Sequence, residues 1–381
     1  MKLKLLTLLC ALSVSALNLF ADGRVVTSGT ESDDGATFDY LEVSGDETRY
    51  DGTNITIANS TWTWFGVTSN YATVSLTNSS INVTSDYAVA LDLGNHSHTT
   101  LNNVNTMSTN GINVYGGSTL MMTGGTIHAT GNDGLGIFFS NASSTMNGVN
   151  IVGNTGLHIS NGSTLILAGS DIITDYTALY ISSSIVTVNL DGNTLTGPIK
   201  VWSGSLTLTG SNGSVITSDV NSNNSNDVVA ITLTDAGTVM HGYLYTNDDD
   251  SGPINLTLSA GALFDGGGTV SNLILEDGAI LGYTDGLTVT TSITLSGGIT
   301  IDFSNITVQD GENYLILDYT TASGSVNAEN FTASGLDDSL QGSFSVANNQ
   351  LTFNATAVPE PTTWLLLGLG VGVLILARRR K

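Results

Sequence analysis

The chain has 381 residues and a formal net charge of −24, with charged side chains at only 11% and apolar ones at 40%. All 33 acids but Glu360 lie between Asp22 and Val358, against three bases there (Arg24, Arg49 and Lys200), so this body carries 29 net negative charges. A body so poor in Lys and Arg excludes nucleic acid as a partner, and it excludes adhesion to an anionic membrane surface.

The polar positions are filled by Ser, Thr, Asn and 44 Gly. Low charge with ample apolar content argues for a folded chain rather than a disordered one. Only Pro198 and Pro253 interrupt the body, which suits continuous backbone pairing. The single cysteine, Cys10, lies in the N-terminal apolar run, so the body offers no disulfide and no thiolate site.

Taken in chain order, Lys2 and Lys4 precede an apolar run over residues 5–14, and small residues follow. That order reads as a secretory signal segment over 1–21. Cleavage fits Ala16 or Ala21; Ala21 is preferred and leaves Asp22 first. The expected processing partner is a signal peptidase. Residues 22–60 hold nine of the body's acids and are expected to form an N-terminal cap.

Residues 61–309 are expected to form coils. A small-apolar-x-apolar pattern starts at Ala88, Gly111, Gly134, Gly156, Ala178 and Pro198, at intervals of 23, 23, 22, 22 and 20 residues. Such regularity signals a repeat architecture. Each unit continues through a Gly/Ser/Asn turn into a second short strand, as at Thr119-Leu120 and Thr164-Leu165. Alternating runs of three to five residues are strands, and the turns are too short for helical crossovers. The fold class is therefore all-β: a right-handed parallel β-helix with coils stacked about 4.8 Å apart and ten or more coils in a rod of about 50 Å or longer. Uncharged side chains suit such stacking, because a column of like charges would repel. Residues 310–357 are expected to close the far end as a β cap against edge-to-edge association.

Residues 358–381 form a three-part tail: Pro359-Glu360-Pro361, an apolar stretch over 362–377, and the cluster Arg378, Arg379, Arg380 and Lys381. These 16 residues make about 24 Å of helix, slightly short of the hydrocarbon core, so they span it only with little tilt or local thinning. The basic cluster places the end on the cytoplasmic side and the body across the inner membrane. This tail resembles the PEP-CTERM sorting signal of Gram-negative bacteria. The resemblance implies recognition by an exosortase, removal of the helix near the motif, and association with exopolysaccharide-producing biofilm bacteria. An ordinary single-span anchor is the plainer alternative. The units at 111–120 and 156–165 resemble the β-helical passengers of autotransporter adhesins and, more loosely, the pectin-lyase-like superfamily. No translocator barrel follows them, so self-transport is not implied.

A polysaccharide lyase needs a base and cations beside the sugar carboxylate, and the coils offer only Lys200. A hydrolase needs paired carboxylates, and the acids of the coils (Asp86, Asp92, Asp133, Asp171, Asp175 and Asp191) are scattered. Residues 131–134 are similar to one element of the β-helical polygalacturonases, but the rest of that family's motif set is absent, which leaves Asp133 as a turn residue. The acids Asp248, Asp249 and Asp250 lack the spacing of a calcium loop, and the five His lack metal spacing, so neither a metal nor a cofactor is expected.

One outward ridge stands out. With the coils in register, Tyr115, Phe138, His158, Tyr180, Lys200 and Trp202 would line one sheet, with rings to stack on sugars and His or Lys to donate hydrogen bonds. Ordinary strand preference also explains aromatics at such positions. The resulting expectation is an exported, adhesin-like surface or matrix protein with an exopolysaccharide partner and no enzyme activity. A polysaccharide hydrolase on the same fold is the alternative.

Overall fold

The computed structural model describes residues 23–59, 65–246, 252–259, 261–284 and 286–358. The signal segment, Ala21, the acidic run at 247–250 and the tail from Pro359 onward lie outside the described residues. The rest is an all-β solenoid of right-handed type with about 13 turns, a stack of about 60 Å at the inter-strand spacing. Among the described residues the only helix is a short 3-10 turn, Ala328–Asn330. No helix there is long and apolar enough to cross a membrane.

Each middle coil runs through three strands, so the stack has three faces. The first face includes Val89–Gly94, Asn110–Tyr115 and Leu135–Ser140. The second includes Ser143–Asn147 and Thr164–Ala168, and the third includes Thr194–Thr196 and Val215–Thr217. Pairing is parallel from coil to coil. Val, Ile and Thr favour this geometry because branched Cβ atoms pack well on a pleated surface.

Alternation decides what lies inside. On the third face Ile57, Ile81, Thr106, Ile127, Ile151 and Ile172 stack directly over one another and are buried. On the first face Leu91, Ile112, Ile137, Leu157, Leu179 and Ile199 do the same. Burying each such side chain contributes about 1.5–3 kcal/mol.

One corner shows why Asn and Gly recur. Between the second and third faces, Asn54, Asn78, Asn103, Gly124, Gly148 and Gly169 all adopt positive φ, between 50° and 65°. Asn and Gly tolerate that left-handed conformation best. The asparagines also bond along the stack, Asn103 Nδ2 donating to Asn78 Oδ1 at 2.9 Å. Buried serines tie neighbouring turns together: Ser97 Oγ donates to the carbonyls of Ser69 and Gly94, and Ser118 Oγ accepts from the Ser97 amide.

The register differs from the frame read in sequence. Leu91 pairs with Ile112, Ile112 with Ile137, and Ile137 with Leu157. The equivalent small residues are therefore Ala90, Gly111, Gly136 and Gly156, so the frames at Ala88 and Gly134 are each two residues early. The reason is close backbone contact. A Cβ on Gly111 would overlap the Gly136 carbonyl oxygen, and one on Gly136 would lie 2.6 Å from that of Gly156. The coil length is not constant, and the extra residues are absorbed at corners such as 131–134.

The segment set down as an N-terminal cap already coils. Gly23–Val26 pairs in parallel with Tyr40–Thr53, which pairs with Phe65–Thr77. There Arg24 meets Glu31 and Asp33, and the buried Tyr50 hydroxyl donates to Asp33 Oδ2 at 3.2 Å. The far end closes differently. Leu340–Ala347 and Gln350–Ala357 form an antiparallel hairpin through Asn348 and Asn349, both at positive φ as a two-residue primed turn requires. The hairpin pairs antiparallel with Asn313–Tyr319, and Phe353 packs 4.6 Å from the Phe303 ring, plugging the core.

Candidate functional site

The outward column of the first face is the candidate. Its central rung residues run Thr68, Asp92, Asn113, Phe138, His158, Tyr180, then Lys200. They are consecutive because each pairs in register with its counterpart one coil away. The His158 ring stands edge-on to Phe138, with centroids 5.2 Å apart at 89°, and to Tyr180 at 4.6 Å and 63°. Edge-to-face contacts of this kind fix ring orientation. Burial between the two rings pushes the His158 pKa down, which favours the neutral imidazole.

Lys200 pairs with Tyr180 in the backbone register, but its ammonium lies 4.8 Å over the ring of Tyr176, an exposed residue on the same coil as Tyr180. The column continues through Asn221 to Tyr245, which stacks on Tyr243 at 5.9 Å and 21°.

Four of the six residues expected in the ridge, Phe138, His158, Tyr180 and Lys200, thus share one column. Tyr115 and Trp202 do not. Tyr115 sits two residues further along its strand, with its ring over Gly94 of the preceding coil. Its hydroxyl donates to Asp92 Oδ2 at 2.9 Å, and burial together with that carboxylate pushes its pKa up to about 12. Trp202 occupies a bulge: Val201 pairs with Ile181 and Ser203 with Ser182, which leaves the indole unmatched and half exposed. Tyr115 and Trp202 flank the column rather than extend it, for the register reason given above.

Several residues here lie outside the ridge expected from the sequence. Asp92 accepts from Tyr115 and from Asn113 Nδ2 at 3.2 Å, and Tyr176 shields Lys200. The signal that could have found Asp92 and Asn113 was their central place in the corrected frame. Tyr176 lies just before the small residue Ala178, where the chain turns from the third face, and no spacing rule marks it.

An open groove of about 610 Å³ runs along the corner that feeds the first face. Asp86, Tyr87, Asn132 and Asp133 line it, and both carboxylates are exposed. Asp133 lies in the 131–134 turn, which is closed by Gly134 N donating to the Gly131 carbonyl at 2.8 Å. On the third face His241 Nδ1 lies 3.0 Å from Asp265 Oδ2, which also accepts from Asn305 at 2.6 Å. Asp171 is engaged in a turn, accepting from the Thr194 amide at 2.7 Å. Among the described residues no group of three or more His, Cys, Asp or Glu is placed to hold a metal ion.

Fold and column together define a β-solenoid with a ring-bearing outer face. Residues 357–381 match the family model of the PEP-CTERM protein-sorting motif. The chain therefore carries that motif at its C-terminal end, as the Pro-Glu-Pro, apolar and Arg pattern implied. The motif marks an exported protein of Gram-negative bacteria, sorted by exosortase, held in the membrane and then processed. No curated protein matches the chain.

Proposed function

We propose that this exported solenoid is a structural, adhesin-like rod of the cell surface or extracellular matrix, holds exopolysaccharide along its first face and catalyses no reaction. The observation that supports it best is the column Phe138–His158–Tyr180–Lys200, in which rings and a cation repeat at the coil spacing. Sugar rings stack on aromatic faces, and a polymer of repeating units suits a repeating surface. Trp202 and Tyr115 widen the strip on one side, and the groove at Tyr87 opens beside it. The acidic body would favour neutral over uronic polymers. A signal peptidase and the exosortase would act before the rod reaches its final place.

The test is retention of the chain by a panel of bacterial and plant polysaccharides. Tyr180→Ala combined with Trp202→Ala should abolish retention while leaving thermal stability within about 1 kcal/mol, as expected for half-exposed sites. Retention unchanged by both substitutions would sink the reading.

The polysaccharide hydrolase remains the second reading, favoured by the two exposed carboxylates, Asp86 and Asp133, that line one groove beside the column. Release of reducing ends that disappears in Asp133→Asn would establish it in place of the first.

A further inference from the structure

The second face, like the strands of the third, is neutral over its middle coils. Over the strand segments 73–77, 98–102, 119–123, 143–147, 164–168, 185–189 and 205–209 it carries no Asp, Glu, Lys or Arg, although the body holds 29 net negative charges. It also carries no Phe, Tyr or Trp, and His98 is its one ring. Its outward side chains stand in straight ranks. One rank runs Thr100, Met121, Thr145, Ile166, Thr187 and Thr207; the next includes Asn102, Thr123, Asn147, Asn189 and Thr209.

These ranks form a two-dimensional grid. Neighbours along a rank are one coil apart, about 4.8 Å, and neighbours across ranks are two residues apart on one strand, about 6.7 Å. The grid is stiff, because β-branched Thr has few χ1 states and each strand is paired on both sides. The hydroxyls of Thr123, Thr145, Thr187 and Thr207 are not spent on protein partners among the described residues. Exposed methyl-bearing groups lie among them, including Met121 and Ile166.

We propose that this second face binds ice. A protein partner would call for aromatic or Arg anchors, which the face lacks. A soluble glycan would call for ring platforms, which sit on the first face instead. What a neutral grid of hydroxyls, Asn amides and methyls, interrupted by Met121, Ile166 and Ala168, matches is a solid whose own oxygens repeat in two dimensions. Crystalline water is such a solid, and its surface planes repeat at distances close to both periods of the grid. Each hydroxyl meets one lattice oxygen, the methyls between them shed poorly ordered water, and little side-chain entropy is lost because the grid is already fixed. The inference is independent of glycan binding, which uses another face.

The test uses the full chain held in lipid nanodiscs, with empty nanodiscs as the blank, frozen in sucrose and annealed just below the melting point. The wild type should slow ice-grain growth relative to empty nanodiscs, and Thr145→Lys with Thr187→Lys, at the centre of the grid, should abolish that effect. Thr126→Lys with Asn150→Lys, on the third face, should leave it intact. Circular dichroism of each variant confirms that the solenoid persists. Grain growth equal to that with empty nanodiscs overturns the proposal. So does inhibition that survives the second-face lysines, or capture by crystalline cellulose with no effect on ice.

Discussion

His158 stands edge-on to Tyr180 one coil further along, with ring centroids 4.6 Å apart and planes at 63°. The two residues are 22 positions apart in sequence and meet only because Leu157 pairs with Leu179 beneath them. The contact is half-buried, so it couples the state of one imidazole to the stability of the stack.

That coupling has a sign. The His158 pKa is lowered in the folded chain, so the unfolded chain binds the proton more tightly. The contribution of His158 is complete above the ordinary imidazole value of about 6.5 and declines as pH falls through it toward the lowered folded value. His158→Phe should remove this part of the acid-side slope in thermal melts taken from pH 7 downward. A slope identical to wild type would show that His158 does not report on the fold.

The stacked small residues should be intolerant of a single methyl. Gly111→Ala would drive its Cβ into the Gly136 carbonyl and to 2.7 Å from the Ile127 side chain. A loss of about 2–3 kcal/mol is expected, because the backbones of two coils must part. Gly162→Ala is the contrast. It has φ +77° and nothing within 4 Å of the added Cβ, so only the left-handed strain remains, about 1–2 kcal/mol. Denaturant unfolding of both variants measures the difference.

Thr106 interrupts the isoleucine column between Ile81 and Ile127, 2% exposed, and its Oγ1 has no hydrogen-bond partner among the described residues. Thr106→Val keeps the shape and removes the unpaired hydroxyl. The variant should be more stable by about 1 kcal/mol, seen as a rise in Tm. A fall in Tm would mean that the hydroxyl is satisfied by buried water.

The tail makes a cellular prediction. Glu360→Ala in the motif spanning 357–381 should leave the chain unprocessed and in the membrane fraction. Replacing Arg378, Arg379 and Arg380 by Glu should also lower the yield of processed protein, because the positive-inside signal is lost. Mass measurement of the membrane and released fractions reads both.

Much of this molecule was legible in its residues. Runs such as Gly156, Leu157 and Ile159 beside Thr164 and Leu165 announce strand, turn and strand, because alternation and Asn/Gly corners act over a few residues. The C-terminal signal was equally plain, being a contiguous pattern of charge and hydropathy. The candidate column was half legible. Phe138, His158, Tyr180 and Lys200 share one register line, whereas Tyr115 and Trp202, expected on the same line, stand beside it.

Local periodicity and composition suffice for the all-β repeat, the neutral polar faces and the sorting tail. Which residue stands on which follows from pairing between distant coils. The register depends on Gly111 meeting Gly136 across 25 positions and on the bulge that ejects Trp202, and a shift of two residues preserves the in-out alternation that sequence can read. Every candidate inside or outside keeps its face under such a shift, but its neighbours along the stack change, and neighbours are what make a binding surface.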